Sequence, residues 1–168
     1  MSNHRLSSSK WHFSSARMIP HAFLNAFPFG DMYTFLPRTR YSAFTDTGQG
    51  STAVDAYLRR PVSAGPHPGV IVIMEAFGLN DHINDVADRF AREGYIALAP
   101  DMYTREGNPD PTNIDDVIKV MFSVPDDQAM GDLDAGARYI KADRHSNGKV
   151  GAIGFCSGGR YTLMFGCT

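Results

Sequence analysis

The sequence predicts an α/β protein with a mostly parallel sheet and flanking helices. Two observations carry that prediction. From residue 41 onward, short apolar strands alternate with amphipathic helices, an order that specifies parallel pairing through right-handed crossovers. Further on, Val150–Gly159 (VGAIGFCSGG) reads as a strand, a sharp turn and the start of a helix.

Residues 1–40 receive no fold assignment. They are rich in Ser, Phe, Pro and His, show no sustained period of 2 or 3.6, and cut apolar clusters such as Ala22-Phe23-Leu24 with Pro20, Asn25 and Pro28. The uninterrupted apolar core of about 7 to 15 residues that a secretory signal needs is absent. The expectation is a disordered or mis-started extension ahead of a domain over residues 41–168. Within that domain Ser51–Arg59 alternates, with Val54, Ala56 and Leu58 on one side, as a half-buried strand does, and Pro61 ends it. After the turn cluster at residues 65–69, Val70–Met74 (VIVIM) is a continuous apolar run that suits an interior parallel strand. Ile83, Val86, Ala87 and Phe90 then fall at helical spacing, so the next element is a helix over Asp81–Glu93 with Gly94 at its C-terminus. Tyr95–Ala99 is the following strand, stopped by Pro100. Ile114, Val117, Ile118 and Met121 predict one further helix, and Met130, Leu133, Ala137 and Ile140 another, each packing one face. Asn147-Gly148 marks a turn, Lys149–Gly154 a short strand, and Ser157 the start of a last helix.

Composition narrows the function classes. A chain of 168 residues with 43% hydrophobic and 20% charged residues suits one globular core. No stretch approaches the roughly 18 apolar residues of a membrane span, and the formal net charge of −2 gives no reason to expect a nucleic acid. That total hides an asymmetry: Arg5, Lys10, Arg17, Arg38 and Arg40 face only Asp31 in the first forty residues, so the rest of the chain is the acidic part. The two cysteines, Cys156 and Cys167, do not make a secreted disulfide framework, which fits a cytoplasmic, reducing location. They lack C-x-x-C spacing and a companion His/Cys cluster, so no metal is indicated. The glycines near them do not form a dinucleotide fingerprint, and no cofactor is expected.

Chemistry concentrates at the strand–turn–helix segment. Gly154-x-Cys156-x-Gly158 has the pattern of a nucleophile elbow, with sulfur replacing the usual serine oxygen. The turn would present Cys156 at the C-terminal edge of the sheet, the following helix N-terminus would favour its thiolate, and the Ser157 amide would point where an oxyanion develops. A buried structural cysteine is the plain alternative. Glu75 follows the strand Val70–Met74 at the same edge, where α/β sites are built; it could hydrogen-bond a thiol or simply reach solvent. Arg105, in the loop after Pro100, could grip a substrate carboxylate in a fork or lie solvated.

The runs Val70–Leu79 (VIVIMEAFGL), Gly94-Tyr95, Ala99–Tyr103 (APDMY), Gly148–Gly151 (GKVG) and Gly154–Gly159 (GFCSGG) together resemble the dienelactone hydrolase family in both wording and order. The resemblance covers the chain from about Tyr41. It implies an α/β-hydrolase fold and hydrolysis of a small carboxylic ester or lactone, the partner being that small molecule. By the same resemblance Cys156 is the nucleophile, Glu75 pairs with its thiol, Ala76 and Ser157 supply the oxyanion-hole amides, and Arg105 meets the substrate carboxylate.

In that fold the nucleophile precedes the triad acid and histidine, yet no Asp, Glu or His follows Cys156. The expectation is therefore an N-terminal part of such a hydrolase, lacking its C-terminal strands and helices, with doubtful activity alone. The competing expectation is a non-catalytic α/β fragment that binds a ligand or partner.

Overall fold

The computed structural model describes residues 39–44 and 51–167. Residues 1–38, and with them most of the basic leader, lie outside the described part. In chain order the elements are β1 (Thr39–Phe44), β2 (Ser51–Arg59), β3 (His67–Ile73), α1 (Asp81–Arg92), β4 (Ile96–Pro100), α2 (Ile114–Ser123), α3 (Asp126–Lys141), β5 (Ser146–Gly154) and α4 (Ser157–Gly166). The strands form one sheet in the order β1-β2-β4-β3-β5. β3 pairs in parallel with both β4 and β5, whereas β2 is antiparallel to β4 and β1 antiparallel to β2. The sheet is thus mixed, with parallel pairing confined to its β4-β3-β5 part.

Strand order follows from burial. The continuous apolar runs of β3 and β4 are buried along almost their whole length, as expected of strands covered on both faces. β2 buries Val54, Ala56 and Leu58 on one side of its alternation. Right-handed crossovers then fix the layers: β3 to β4 steps one way across the sheet and β4 to β5 steps back past β3, so the two connections take opposite faces. α1 packs on β4, β2 and β3, while α3 runs over β1, β3, β4 and β5 with α4 beside it. Close approach on the α3 face relies on missing side chains. A Cβ on Gly69 would stand 2.3 Å from Ile140 Cγ2, and one on Gly136 would stand 3.1 Å from Leu98 Cδ2.

Helix ends match their sequences. Asn80 caps α1, its side chain accepting from the Ile83 amide at 3.1 Å, and Gly94 follows the helix at φ +89°. Asn113 caps α2 in the same way through the Asp115 and Asp116 amides.

Three features depart from the sequence reading. β1 was not expected, and its first residues, Thr39 and Arg40, had been grouped with the leader. α2 buries only part of the face predicted for it: Val117 is buried and Met121 half-buried, but Ile114 and Ile118 are exposed. β5 begins at Ser146 rather than Lys149, because Ser146 and Asn147 side chains accept from the Gly148 and Lys149 amides and carry the strand through Gly148 at φ +78°.

The topology selects one crevice. β3 and β5 are neighbours, yet the chain leaves β3 toward α1 on one face and leaves β5 into α4 on the other. Adjacent strands whose connections diverge in this way open a cleft at their carboxyl ends.

Candidate active site

Cys156 stands at that cleft, between β5 and α4. Its backbone is held at φ 54° and ψ −119°, and it is the only non-glycine residue with positive φ among the described residues. A side-chain-bearing residue in such a conformation costs about 1–3 kcal/mol and persists only where its surroundings over-determine it. Two glycines supply that constraint. A Cβ on Gly154 would stand 2.2 Å from Gly158 O, and one on Gly158 would stand 2.5 Å from Ile73 O and 2.6 Å from Met74 O. Backbone therefore meets backbone on both sides of the turn, and the first turn of α4 rests directly on the end of β3. The thiol is exposed. The Gly158 and Gly159 amides donate to Phe155 O and Cys156 O at 2.9 and 3.0 Å, while the Ser157 amide donates to no group among the described residues.

Glu75 and Ala76 come from the neighbouring strand. The last register pair of β3 and β5 is Ile73 with Gly154. Glu75 and Cys156 lie two residues beyond that pair, and Ala76 and Ser157 three beyond it, so both segments emerge from adjacent strands at one edge of the sheet. Glu75 is half-buried. Among the described residues no hydrogen bond joins its carboxylate to the Cys156 thiol or to another side chain. Its carbonyl instead accepts from the Gly78 amide at 3.2 Å, with Gly78 at φ +83°, which folds Glu75–Gly78 into a tight turn.

Tyr103, which the sequence reading quoted only as part of a run, proves to belong to the same locus. It is buried beneath the turn, and its hydroxyl donates to Ala76 O at 3.0 Å. Burial first, then the neighbouring Tyr161, Asp101, Cys156 and Glu106, push its pKa up to about 12. The hydroxyl therefore keeps its proton throughout the ordinary pH range.

Arg105 is turned inward. Its Nη2 donates to Asp132 Oδ2 of α3 at 2.5 Å, and the Asp132 side chain is 2% exposed. Tyr41 of β1 donates its hydroxyl to the carbonyl of the same Asp132 at 3.0 Å. Burial pushes the Asp132 carboxyl up, against the opposing pull of Arg105. The Nε and Nη1 of Arg105 are buried with no partner, as is Asp132 Oδ1. A carboxylate of the protein thus occupies one edge of this guanidinium, and two donors remain unused. Spacing alone held no signal for this pair, because it joins a loop to the middle of a helix.

The concave surfaces lie elsewhere. A hollow of about 420 Å³ runs along β5 between Val70, Phe90, Tyr95 and Val150, and a smaller one of about 300 Å³ reaches Phe155 from Val86 and Phe90. Both are apolar and neither is lined by Cys156, Glu75 or Arg105. The chemistry argues for the sheet edge over these hollows, because the polar residues that line them, Lys149 in one and Arg89 and Glu93 in the other, include no nucleophilic thiol. No cluster of three or more His, Cys, Asp or Glu able to hold a metal occurs among the described residues, and no helix among them is long and apolar enough to cross a membrane.

Comparison with known proteins adds to this geometry. A family model described as the dienelactone hydrolase family matches residues 54–167. A Methylorubrum extorquens protein provisionally named carboxymethylenebutenolidase is 41% identical over 115 residues, which is 67% of this chain and 40% of that protein. An Escherichia coli K12 protein with the same provisional name is 39% identical over 127 residues, 74% of this chain and 47% of its own length. A solved structure from Klebsiella pneumoniae, provisionally named a dienelactone hydrolase, superposes with a TM-score of 0.63 at 39% identity, covering 76% of this chain and 53% of that one. The chain spans about half the length, or less, of the relatives it matches.

Proposed function

The chain belongs to the dienelactone hydrolase family, and from that premise we propose that the whole protein hydrolyses a small carboxylic ester or lactone through Cys156. The observation that carries this reading is that Glu75 with Ala76, and Cys156 with Ser157, emerge from adjacent strands at one edge of the sheet, just beyond the Ile73–Gly154 register pair. Nucleophile, carboxylate and two backbone donors are what acyl transfer requires in one place. The names of the relatives, which refer to a butenolide-type lactone, support the substrate class.

The steps follow from these positions. Glu75 accepts the proton of the Cys156 thiol as sulfur attacks the acyl carbon. The carbonyl oxygen becomes an oxyanion between the Ala76 and Ser157 amides, each of which contributes on the order of 3 kcal/mol where such donors have been removed. Collapse breaks the bond from acyl carbon to alkoxy oxygen, that oxygen takes the proton, and a thioester on Cys156 remains. Water then cleaves the thioester to the carboxylic acid and restores the thiol. Arg105 meets a substrate carboxylate only by turning its Nη2 out of the ion pair with Asp132, since both forked edges of the guanidinium include that nitrogen. Both thiols are free and exposed, which supports a reducing, cytoplasmic setting.

The test is direct. The protein is incubated with an enol-lactone and with p-nitrophenyl acetate, and turnover and the mass of the Cys156 peptide are followed. Acyl adduct on Cys156, with Cys156→Ala lowering turnover about 10³-fold or more, is the expected result. Unchanged turnover in Cys156→Ala would sink the reading.

A further inference from the structure

We infer that Tyr103 is a positioning residue for the oxyanion hole: its buried hydroxyl holds the Glu75–Gly78 turn so that the Ala76 amide faces the carbonyl under attack. The inference rests on the reading of Cys156 as the nucleophile and adds to it a residue that never touches substrate.

Two consecutive peptide units define where the Ala76 amide points. The unit joining residues 75 and 76 contains both the Glu75 carbonyl and the Ala76 N–H, which are fixed in opposite directions by the planarity of the peptide. The Gly78 amide holds that carbonyl at 3.2 Å from the inside of the turn, so the Ala76 N–H is aimed outward. The next unit, joining residues 76 and 77, carries the Ala76 carbonyl, and Tyr103 holds it at 3.0 Å. With both carbonyls pinned, the turn cannot rotate about Ala76 without losing a hydrogen bond. The first of these bonds is local. The second comes from the loop after β4 and is the tie that fixes the turn to the body of the sheet.

Tyr103 is suited to this in three ways. Its ring is packed against the turn, with its Cδ2 3.5 Å from where a Gly78 Cβ would stand, an ordinary van der Waals distance. Its own amide is fixed by Asp101 Oδ1 at 3.0 Å. Burial first, then the electrostatic influence of Tyr161, Asp101, Cys156 and Glu106, acts on its hydroxyl in one direction. All of them disfavour a phenolate, so the hydroxyl stays a donor. Cys156 is thus among the groups that act electrostatically on the Tyr103 hydroxyl.

The experiment separates positioning from structural support by using two reagents on one thiol. p-Nitrophenyl acetate acylates Cys156 through a tetrahedral oxyanion and expels p-nitrophenolate. Iodoacetamide alkylates the same sulfur by displacing iodide and forms no oxyanion. Both rates are read on the Cys156 peptide by mass spectrometry, so Cys167 does not interfere. In Tyr103→Phe, acylation is expected to slow roughly tenfold to a hundredfold, the scale of a misaimed oxyanion donor, while alkylation stays within about twofold. Parallel slowing of both reactions, or no change in either, overturns the inference. Alkylation without any acylation of Cys156 in the unsubstituted protein removes the underlying functional reading instead, and the inference with it. Should Tyr103→Phe fail to fold, difluorotyrosine at position 103 keeps the shape and carries a more acidic hydroxyl; acylation must then fall with rising pH as that hydroxyl ionises, and a profile matching the parent overturns the inference.

Discussion

At the scale of the residue, Cys156 gives up stability for its position. Its φ of 54° and ψ of −119° suit a glycine, and the strain of about 1–3 kcal/mol exceeds the roughly 0.5–1 kcal/mol of backbone entropy that a glycine would lose on folding. Cys156→Gly is therefore expected to raise stability by about 1 kcal/mol in urea unfolding while abolishing acylation, an opposition that a buried structural cysteine would not produce. A lower unfolding midpoint would show that the thiol packs more than it strains. This residue was legible in the sequence because Gly154 and Gly158 flank it at fixed spacing, and glycines are needed where two backbones touch. Tyr103 and Asp132 were not legible as partners. Their contacts, to Ala76 and to Arg105, join the ends of different strands or a loop to a helix, and no local period encodes such meetings.

At the scale of the element, pattern and packing separate. The spacing of Ile114, Val117, Ile118 and Met121 correctly predicts a helix, but a period of 3.6 says only which face is apolar, not whether anything covers it; in α2 two of those four residues are exposed. β1 escaped notice for the opposite reason. Arg40 pairs with Asp55 across the sheet and Tyr41 reaches α3, so its order comes from partners rather than from apolar alternation within its own six residues. Between elements, Arg60 after β2 binds Asp143 before β5 at 2.6 Å. Burial opposes the charge on Asp143, but the His145 amide and Arg60 outweigh it and hold its carboxyl below the ordinary aspartate range. The folded state thus binds this proton less readily than the unfolded chain. Its stabilising contribution is present above about pH 4 and is lost as pH falls toward the depressed value. Asp143→Asn should accordingly flatten the acid limb of the stability curve, measured as urea midpoints between pH 5 and about 2. An acid limb as steep as the parent's would assign the loss to other carboxylates.

At the scale of the whole molecule, β5 has one neighbour among the described strands, and the apolar hollow along it, with Phe155 and the 74%-exposed Leu163, lies open. Exposed edges and apolar patches of this kind favour association. Leu163→Lys is expected to reduce self-association of the chain in sedimentation velocity by several-fold at equal concentration without lowering its melting temperature, since that side chain contributes little to the core. Association that is indifferent to the change would point to another surface.

The crossing of β3 by the return path to β5 bears on how the reactive centre comes into being. Ile73 and Gly154 pair across α1, β4, α2 and α3, a long-range closure over much of the chain. Until that closure, nothing forces Cys156 into its unfavourable backbone conformation, and the thiol is an ordinary one on a flexible segment. Acylation competence is therefore expected to arise late in refolding, after helix formation, and following both in time after dilution from denaturant checks it.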